Sequence, residues 1–469
     1  MLRGKIVWRG LAAGLLVTGT VQAGAAHAGT LIDPADPNIL YTGRWDFSAP
    51  SAPWAQAKGS SLSVRFEGTS ISATHSGGTS EYLRVILDDD AAGSTKLQLQ
   101  PGVSMELASG LTDTVHKLEL IKETDQGRMT LTALQLDDGK SLRIPPPRPP
   151  RKIEFYGDSN LAGFSLESER NQSGAQLTGS HYTFAGIVAR QMDAEYVNHS
   201  RSGATITALL NTYDRTDWNT PTPLWDFSRF PADLVVANIG ANDSGSPNVI
   251  KQRYFDLLDT LRTAHPEPHI VLFNAWGWDF DEPANFIHEV IDEHGDPNTS
   301  ARIFPWIFEQ FHGCEYDHGG MAANLVEHLE TVLGWSAAPA DVMSGYGVNG
   351  NVANGSFEEV APFGGWGWRY FDDAGVSRVH DPATAYDGEH FLRLANGAAT
   401  HQNIPASDGE TFTVNVWARG AMAGDELHIT MDFRDQGAAG PDIDGEGLAV
   451  ARRDVLVRCG TVCQAQKVL

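Results

Sequence analysis

The sequence predicts a multidomain chain: an N-terminal β-sandwich, a central α/β domain with a parallel sheet, and a C-terminal β-sandwich. Three observations carry this reading. Short alternating polar and apolar stretches fill the first part, apolar runs alternate with helical periodicity from residue 151, and Gly-rich β character returns after residue 337. At 469 residues the chain also exceeds what one core usually organises.

Residues 1–28 begin with Arg3, Lys5 and Arg9, continue through an apolar stretch over 11–17, and end in Ala26-His27-Ala28. This is the pattern of a secretory signal peptide cut after Ala28, too short for a membrane span. The mature protein is therefore expected outside the cytoplasm, extracellular or periplasmic. A formal charge of −25 argues against nucleic acid and membrane partners, which demand basic patches, and fits a neutral substrate. Three cysteines, Cys314, Cys459 and Cys463, are too few for a disulfide framework, although a Cys459–Cys463 bridge can be drawn. No metal-ligand cluster is visible, and no cofactor is required.

The N-terminal sandwich is assigned to 29–144, with alternating strands over 61–66, 82–87 and 117–121 separated by Gly, Ser and Asp. Residues 145–150, Pro-Pro-Pro-Arg-Pro-Pro, can join neither sheet nor helix and read as a stiff connector. The α/β domain follows over 151–336, with strands over 152–156, 195–198, 233–238 and 269–274. One helical face carries Ile250, Tyr254, Leu257, Leu258 and Leu261. A linker over 337–350 leads into the last module, 351–469, whose final stretch from Arg452 carries two cysteines and no clean alternation.

Chemistry is expected in the loops after the parallel strands, because ligands bind at the carboxyl ends of such sheets. The first strand runs into Gly157-Asp158-Ser159, the second into His199-Ser200-Arg201-Ser202-Gly203, and the third into Gly240-Ala241-Asn242-Asp243. Cys314-Glu315-Tyr316-Asp317-His318 then leads into a helix with Met321, Leu325, Leu329 and Val332 on one face. In this order the loops suit ester hydrolysis. Ser159 is the nucleophile and His318 the base that takes its proton. The Ser159 N–H, the Gly203 N–H and the Asn242 amide supply an oxyanion site. Glu315, three residues before His318, is the first choice to orient the imidazole, with Asp317 or a backbone carbonyl as alternatives. Asp158 reads as a turn-stabilising residue, and His199, His312 and His328 as ordinary polar residues. Trp276 and Trp278, beyond the fourth strand, could stack on a sugar ring, and core packing explains them equally well.

These blocks resemble the SGNH (GDSL-type) hydrolase superfamily through Gly157-Asp158-Ser159, Gly203, Gly240-Ala241-Asn242-Asp243 and Glu315 to His318. Tyr41-Thr42-Gly43-Arg44-Trp45-Asp46, Gly68-Thr69-Ser70-Ile71 and His116-Lys117-Leu118 narrow the likeness to carbohydrate esterase family 2. The resemblance implies a jelly-roll joined to an SGNH domain and removal of acetyl groups from xylan- or mannan-type polysaccharides through an acetyl-Ser159 intermediate. Two departures stand out: a glutamate where the family usually has aspartate before the histidine, and Gly319 where it usually has proline. Asn354-Gly355-Ser356-Phe357-Glu358, Gly365-Trp366 and Asp387-Gly388-Glu389-His390 resemble jelly-roll carbohydrate-binding modules, in which acids such as Asp387 and Glu389 could hold a structural calcium ion. Rival readings are a lipase acting on other acyl esters and an inactive carbohydrate-binding protein. The Ser159–His318 distance discriminates the last.

Overall fold

The computed structural model describes residues 29–168, 172–275, 283–304, 312–347, 352–370, 375–402, 404, 413–418, 426–433, 451–458 and 463–468. The expected signal peptide, Trp276, Trp278 and Cys459 lie outside these residues.

The first domain is a sandwich of two antiparallel sheets. One runs in the order Trp45–Asp46, Trp54–Ala55, Met129–Leu136, Ile71–Gly77, Ser104–Ala108, with Thr30–Ile32 also on Met129–Leu136. The other runs Leu142–Arg143, Ser61–Gly68, Thr114–Lys122, Tyr82–Leu87, Asp90–Gln98, with Leu40–Thr42 also on Ser61–Gly68. Alternation sets the register: Leu118 faces Val64 and Leu87, and Leu120 faces Leu62 and Val85. Leu62, Val64, Phe66, Leu118 and Leu120 thus point into one core with Leu131 and Leu134 from the opposite sheet.

The α/β domain holds five parallel strands in the order Ala194–Ser200, Arg151–Gly157, Leu234–Asn238, His269–Ala275, Thr299–Phe304. The second strand in sequence lies at one edge, so the order reverses between Arg151–Gly157 and its two neighbours. That switch point opens a crevice at the strands' carboxyl ends. Ile153 and Phe155 face the helices Phe184–Gln191 and Glu315–Leu333. Tyr156, Val235 and Ala237 face the other side, toward Pro247–Ala264 and Pro283–His294. Ile250, Tyr254, Leu257, Leu258 and Leu261 are all buried, as their spacing predicts.

Residues expected as a linker after 336 belong in part to this domain. Val342 and Tyr346 are buried in its core, and the Ala338 N–H donates to Gln191 O at 2.7 Å. A second feature is the buried charge between sandwich and α/β domain. Arg44, wholly shielded from water, donates to Glu154 Oε1 at 2.6 Å, Tyr156 OH at 3.1 Å, Tyr213 O at 2.7 Å and Arg215 O at 2.6 Å. A carboxylate in the middle of an apolar strand is tolerable because this guanidinium accompanies it.

In the C-terminal part, the described residues form antiparallel pairs: Arg369–Tyr370 with Thr400–His401, Val376–His380 with His390–Leu394, Thr413–Ala418 with Cys463–Val468, and Glu426–Phe433 with Ala451–Arg458. The last two pairs include the stretch from Arg452 that lacked a strand signal. Val455 and Val457, opposite Ile429 and Leu427, are its main apolar alternation, too short to stand out in sequence.

Candidate active site

The strand Arg151–Gly157 delivers Ser159 to the switch point. Gly157 is required there: a Cβ would meet Asn238 O at 2.5 Å and the Leu161 Cβ at 2.8 Å, so the turn closes tightly against the third strand only without a side chain. Asp158 is buried beneath the turn and its Oδ1 accepts the Asn160 N–H at 3.1 Å. Burial raises its carboxyl to about 7, against the pull of backbone donors that include Asn160 and Ala241. It therefore acts as the turn-stabilising residue the sequence suggested.

The histidine on Ser159 is His312. Its Nε2 lies 2.8 Å from Ser159 Oγ, and its ring packs against Phe164 with centroids 4.6 Å apart. Burial pushes the imidazole down to about 4, so near neutrality Nε2 can accept the serine proton.

The expected base, His318, is placed elsewhere. It is fully buried one turn into Glu315–Leu333, its Nδ1 accepts the Phe184 N–H at 3.1 Å, and its ring stacks on Phe184 at 6.0 Å with planes 6° apart. The physical reason is the helix start. Cys314 is the N-cap, and Asp317 Oδ2 accepts its N–H at 2.9 Å in a capping-box arrangement, which turns His318 inward toward Phe184. Asp317 Oδ1 accepts the Tyr346 hydroxyl at 2.8 Å, so this carboxylate caps the helix and fastens the following segment. Glu315 is buried in the same first turn. With His318 off the nucleophile, neither acid can serve Ser159 by orienting it. Glu309 stands three residues before His312, repeating the spacing of Glu315 and His318, and lies outside the described residues. That repeated Glu-x-x-His was the signal in the sequence that could have exposed His312.

The three strand-end loops do converge. The Arg201 N–H donates to Gly157 O at 3.1 Å, the Asp158 N–H to Asn238 O at 3.3 Å, and Asp243 Oδ2 accepts the Ile206 N–H at 2.8 Å. Asn242 Nδ2 donates to Ala204 O at 3.0 Å, tying the third loop to the second beside Gly203. Gly203 sits at φ 79° with open space where a Cβ would stand. Among the described residues, no protein acceptor takes the N–H of Ser159 or of Gly203. Two unengaged donors near a serine–histidine pair are what an oxyanion site needs.

Elsewhere, no group of three or more His, Cys, Asp or Glu among the described residues is arranged to hold a metal ion. Glu389 Oε2 lies 3.2 Å from His380 Nε2, and its N–H donates to Glu358 at 2.8 Å.

A serine in contact with a histidine at the switch point of a five-stranded parallel sheet defines a serine-hydrolase type of site. Comparison with known proteins adds the following. Residues 41–147 match the carbohydrate esterase 2 N-terminal domain and residues 155–303 the GDSL-like lipase/acylhydrolase family, so these two segments resemble the two domains of a carbohydrate-esterase-2-like GDSL hydrolase. It is 28% identical over 330 residues to the cellulase/esterase CelE of Acetivibrio thermocellus, covering 65% of this chain and 40% of that protein. It is 26% identical over 331 residues to an acetylxylan esterase/glucomannan deacetylase of Cellvibrio japonicus, covering 65% of this chain and 91% of the relative. A family two carbohydrate esterase from Clostridium thermocellum, solved with cellohexaose, superposes with a TM-score of 0.59 at 26% identity over 63% of this chain and 99% of that one. Neither family match extends past residue 303, so His312 is identified by its geometry.

Proposed function

We propose that this protein is an exported serine esterase that removes O-acetyl groups from a neutral plant cell-wall polysaccharide or oligosaccharide of the xylan or mannan type. The carrying observation is the 2.8 Å contact between Ser159 Oγ and His312 Nε2 in a chain built like these esterases. The named activity of the Cellvibrio japonicus relative supports the substrate class. The absence of any long apolar helix among the described residues is compatible with export after cleavage near Ala28.

His312 takes the Ser159 proton as Oγ attacks the acetyl carbonyl. The developing oxyanion is received by the N–H groups of Ser159 and Gly203 with the Asn242 amide at the rim. The imidazolium then protonates the departing sugar oxygen, leaving acetyl-Ser159, and in the second half the neutral imidazole activates water to release acetate. In this reading the C-terminal strand pairs belong to a β-sandwich that holds the polysaccharide, and Trp276 and Trp278, outside the described residues, contribute to sugar binding. The test is acetate release from acetylated xylan and glucomannan. Ser159→Ala and His312→Ala should abolish it, and normal turnover by either variant would refute the assignment.

A further inference from the structure

The carbonyls of the nucleophile turn are all engaged, and one is held by the other domain. The Ala162 N–H donates to Asp158 O at 2.9 Å, the Phe164 N–H to Ser159 O at 3.0 Å and the Gly163 N–H to Asn160 O at 3.0 Å. Asn198 Nδ2 reaches Leu161 O at 3.1 Å from the neighbouring strand. The fifth carbonyl, Ala162 O, accepts from Lys58 Nζ at 2.6 Å, and Lys58 belongs to the N-terminal sandwich.

Lys58 is placed for this work at considerable cost. Its side chain is 1% exposed, and its nearest counter-charge, Asp125 Oδ1, is 3.5 Å away. The bond to Ala162 is thus the shorter of its two contacts. A buried ammonium is retained against desolvation only where its hydrogen bonds are good, and a charged donor is the strongest grip available on a backbone carbonyl. Other sandwich residues hold the same segment farther along: Glu123 accepts the N–H groups of Ser180 and His181, and Arg84 bridges Glu123 and Glu167. Ser180 and His181 lie well beyond the turn in sequence and Glu167 five residues past Ala162; the Lys58 contact is to the turn's own carbonyl.

We propose that Lys58 is a positioning residue for Ser159: by fixing the Ala162 carbonyl, the sandwich sets the place of the Ser159 N–H and Oγ relative to His312 and the oxyanion site. A sub-ångström displacement of a nucleophile is enough to lower turnover without altering substrate affinity.

The inference rests on Ser159 as nucleophile, and the two can fail separately. Normal turnover by Ser159→Ala would sink that assignment; an inactive Ser159→Ala together with a fully active Lys58→Met would sink this one alone. In the full-length protein assayed with p-nitrophenyl acetate, Lys58→Met should lower kcat about tenfold with KM within about twofold. Lys58→Gln, which keeps a neutral donor, should fall about threefold. Arg128→Gln is the control for a merely structural role, since Arg128 joins the same domains through Asp217 at 2.7 Å and Thr220 at 3.0 Å and does not touch the turn. It should lower Tm and leave kcat unchanged. A folded Lys58→Met with the parent kcat, or an equal kcat loss in Arg128→Gln, overturns the proposal. If Lys58→Met does not fold, unchanged kcat in Lys58→Gln overturns it.

Discussion

His318→Leu separates the role the fold gives this residue from the role its sequence position suggests. The substitution keeps an apolar body of similar size beside Phe184 and removes the acceptor of the Phe184 N–H. That amide opens the helix Phe184–Gln191 and has no intrahelical partner, so leaving it unsatisfied should cost about 1–3 kcal/mol. The cost depends on pH. Burial holds the His318 imidazole at about 4 against an ordinary 6.5, so the unfolded chain binds the proton first. This group's contribution is intact above 6.5 and is lost as pH falls toward 4. At pH 5 the neutral form costs about 2 kcal/mol relative to the unfolded chain, comparable to the bond it secures. Calorimetry should therefore find Tm of His318→Leu lower by about 2–10 °C at pH 8, and close to the parent at pH 5. The value of kcat at 25 °C should stay within about threefold of the parent, since the residue touches no reacting atom. A loss of about a thousandfold or more in kcat with unchanged Tm would refute the reasoning and restore His318 as the base.

Turnover should persist on the acid side of an ordinary histidine. Because burial lowers His312 to about 4 and its neutral form is the base, kcat/KM should decline only as pH drops toward that value, and a limb centred near 6.5 would count against it. Asn242→Ala should cost on the order of 100-fold in kcat, far more than the small drop in Tm expected from losing its bond to Ala204 O, checked by steady-state kinetics beside calorimetry. Arg44→Met strands Glu154 in the domain interface and should destabilise the protein by about 3–5 kcal/mol in urea titrations. Gly157→Ala drives a methyl against Asn238 O and should cost about 1–3 kcal/mol together with much of kcat, whereas a neutral result would mean the turn is looser than described.

Much of the framework could be read from the sequence because strong periodicity and strand-end loops are local signals. The four expected strands of the α/β domain and the buried face of Pro247–Ala264 are observed close to their expected bounds. The fifth strand, Thr299–Phe304, escaped notice because its burial alternates weakly and Ala301 and Arg302 interrupt its apolar character. The loops carrying Ser159, Gly203 and Asn242 lie against one another through Arg201 N–H to Gly157 O and Asn242 to Ala204 O. His312 rather than His318 meets Ser159; Glu-x-x-His occurs at both 309–312 and 315–318, and spacing alone cannot reveal that the second copy forms a helix start. The charges crossing between domains, Arg44 to Glu154 and Lys58 to Ala162, were illegible for a different reason. They join residues more than a hundred positions apart, and nothing local marks a lysine or arginine as buried.

The central claim is that His312 activates Ser159, and stoichiometric labelling with diethyl p-nitrophenyl phosphate tests it without any assumption about the sugar. Peptide mass mapping should find the parent and His318→Leu modified at Ser159 at similar rates, with His312→Ala slower by about a thousandfold or more. Rapid labelling of Ser159 in His312→Ala, with loss of labelling in His318→Leu, would contradict the account.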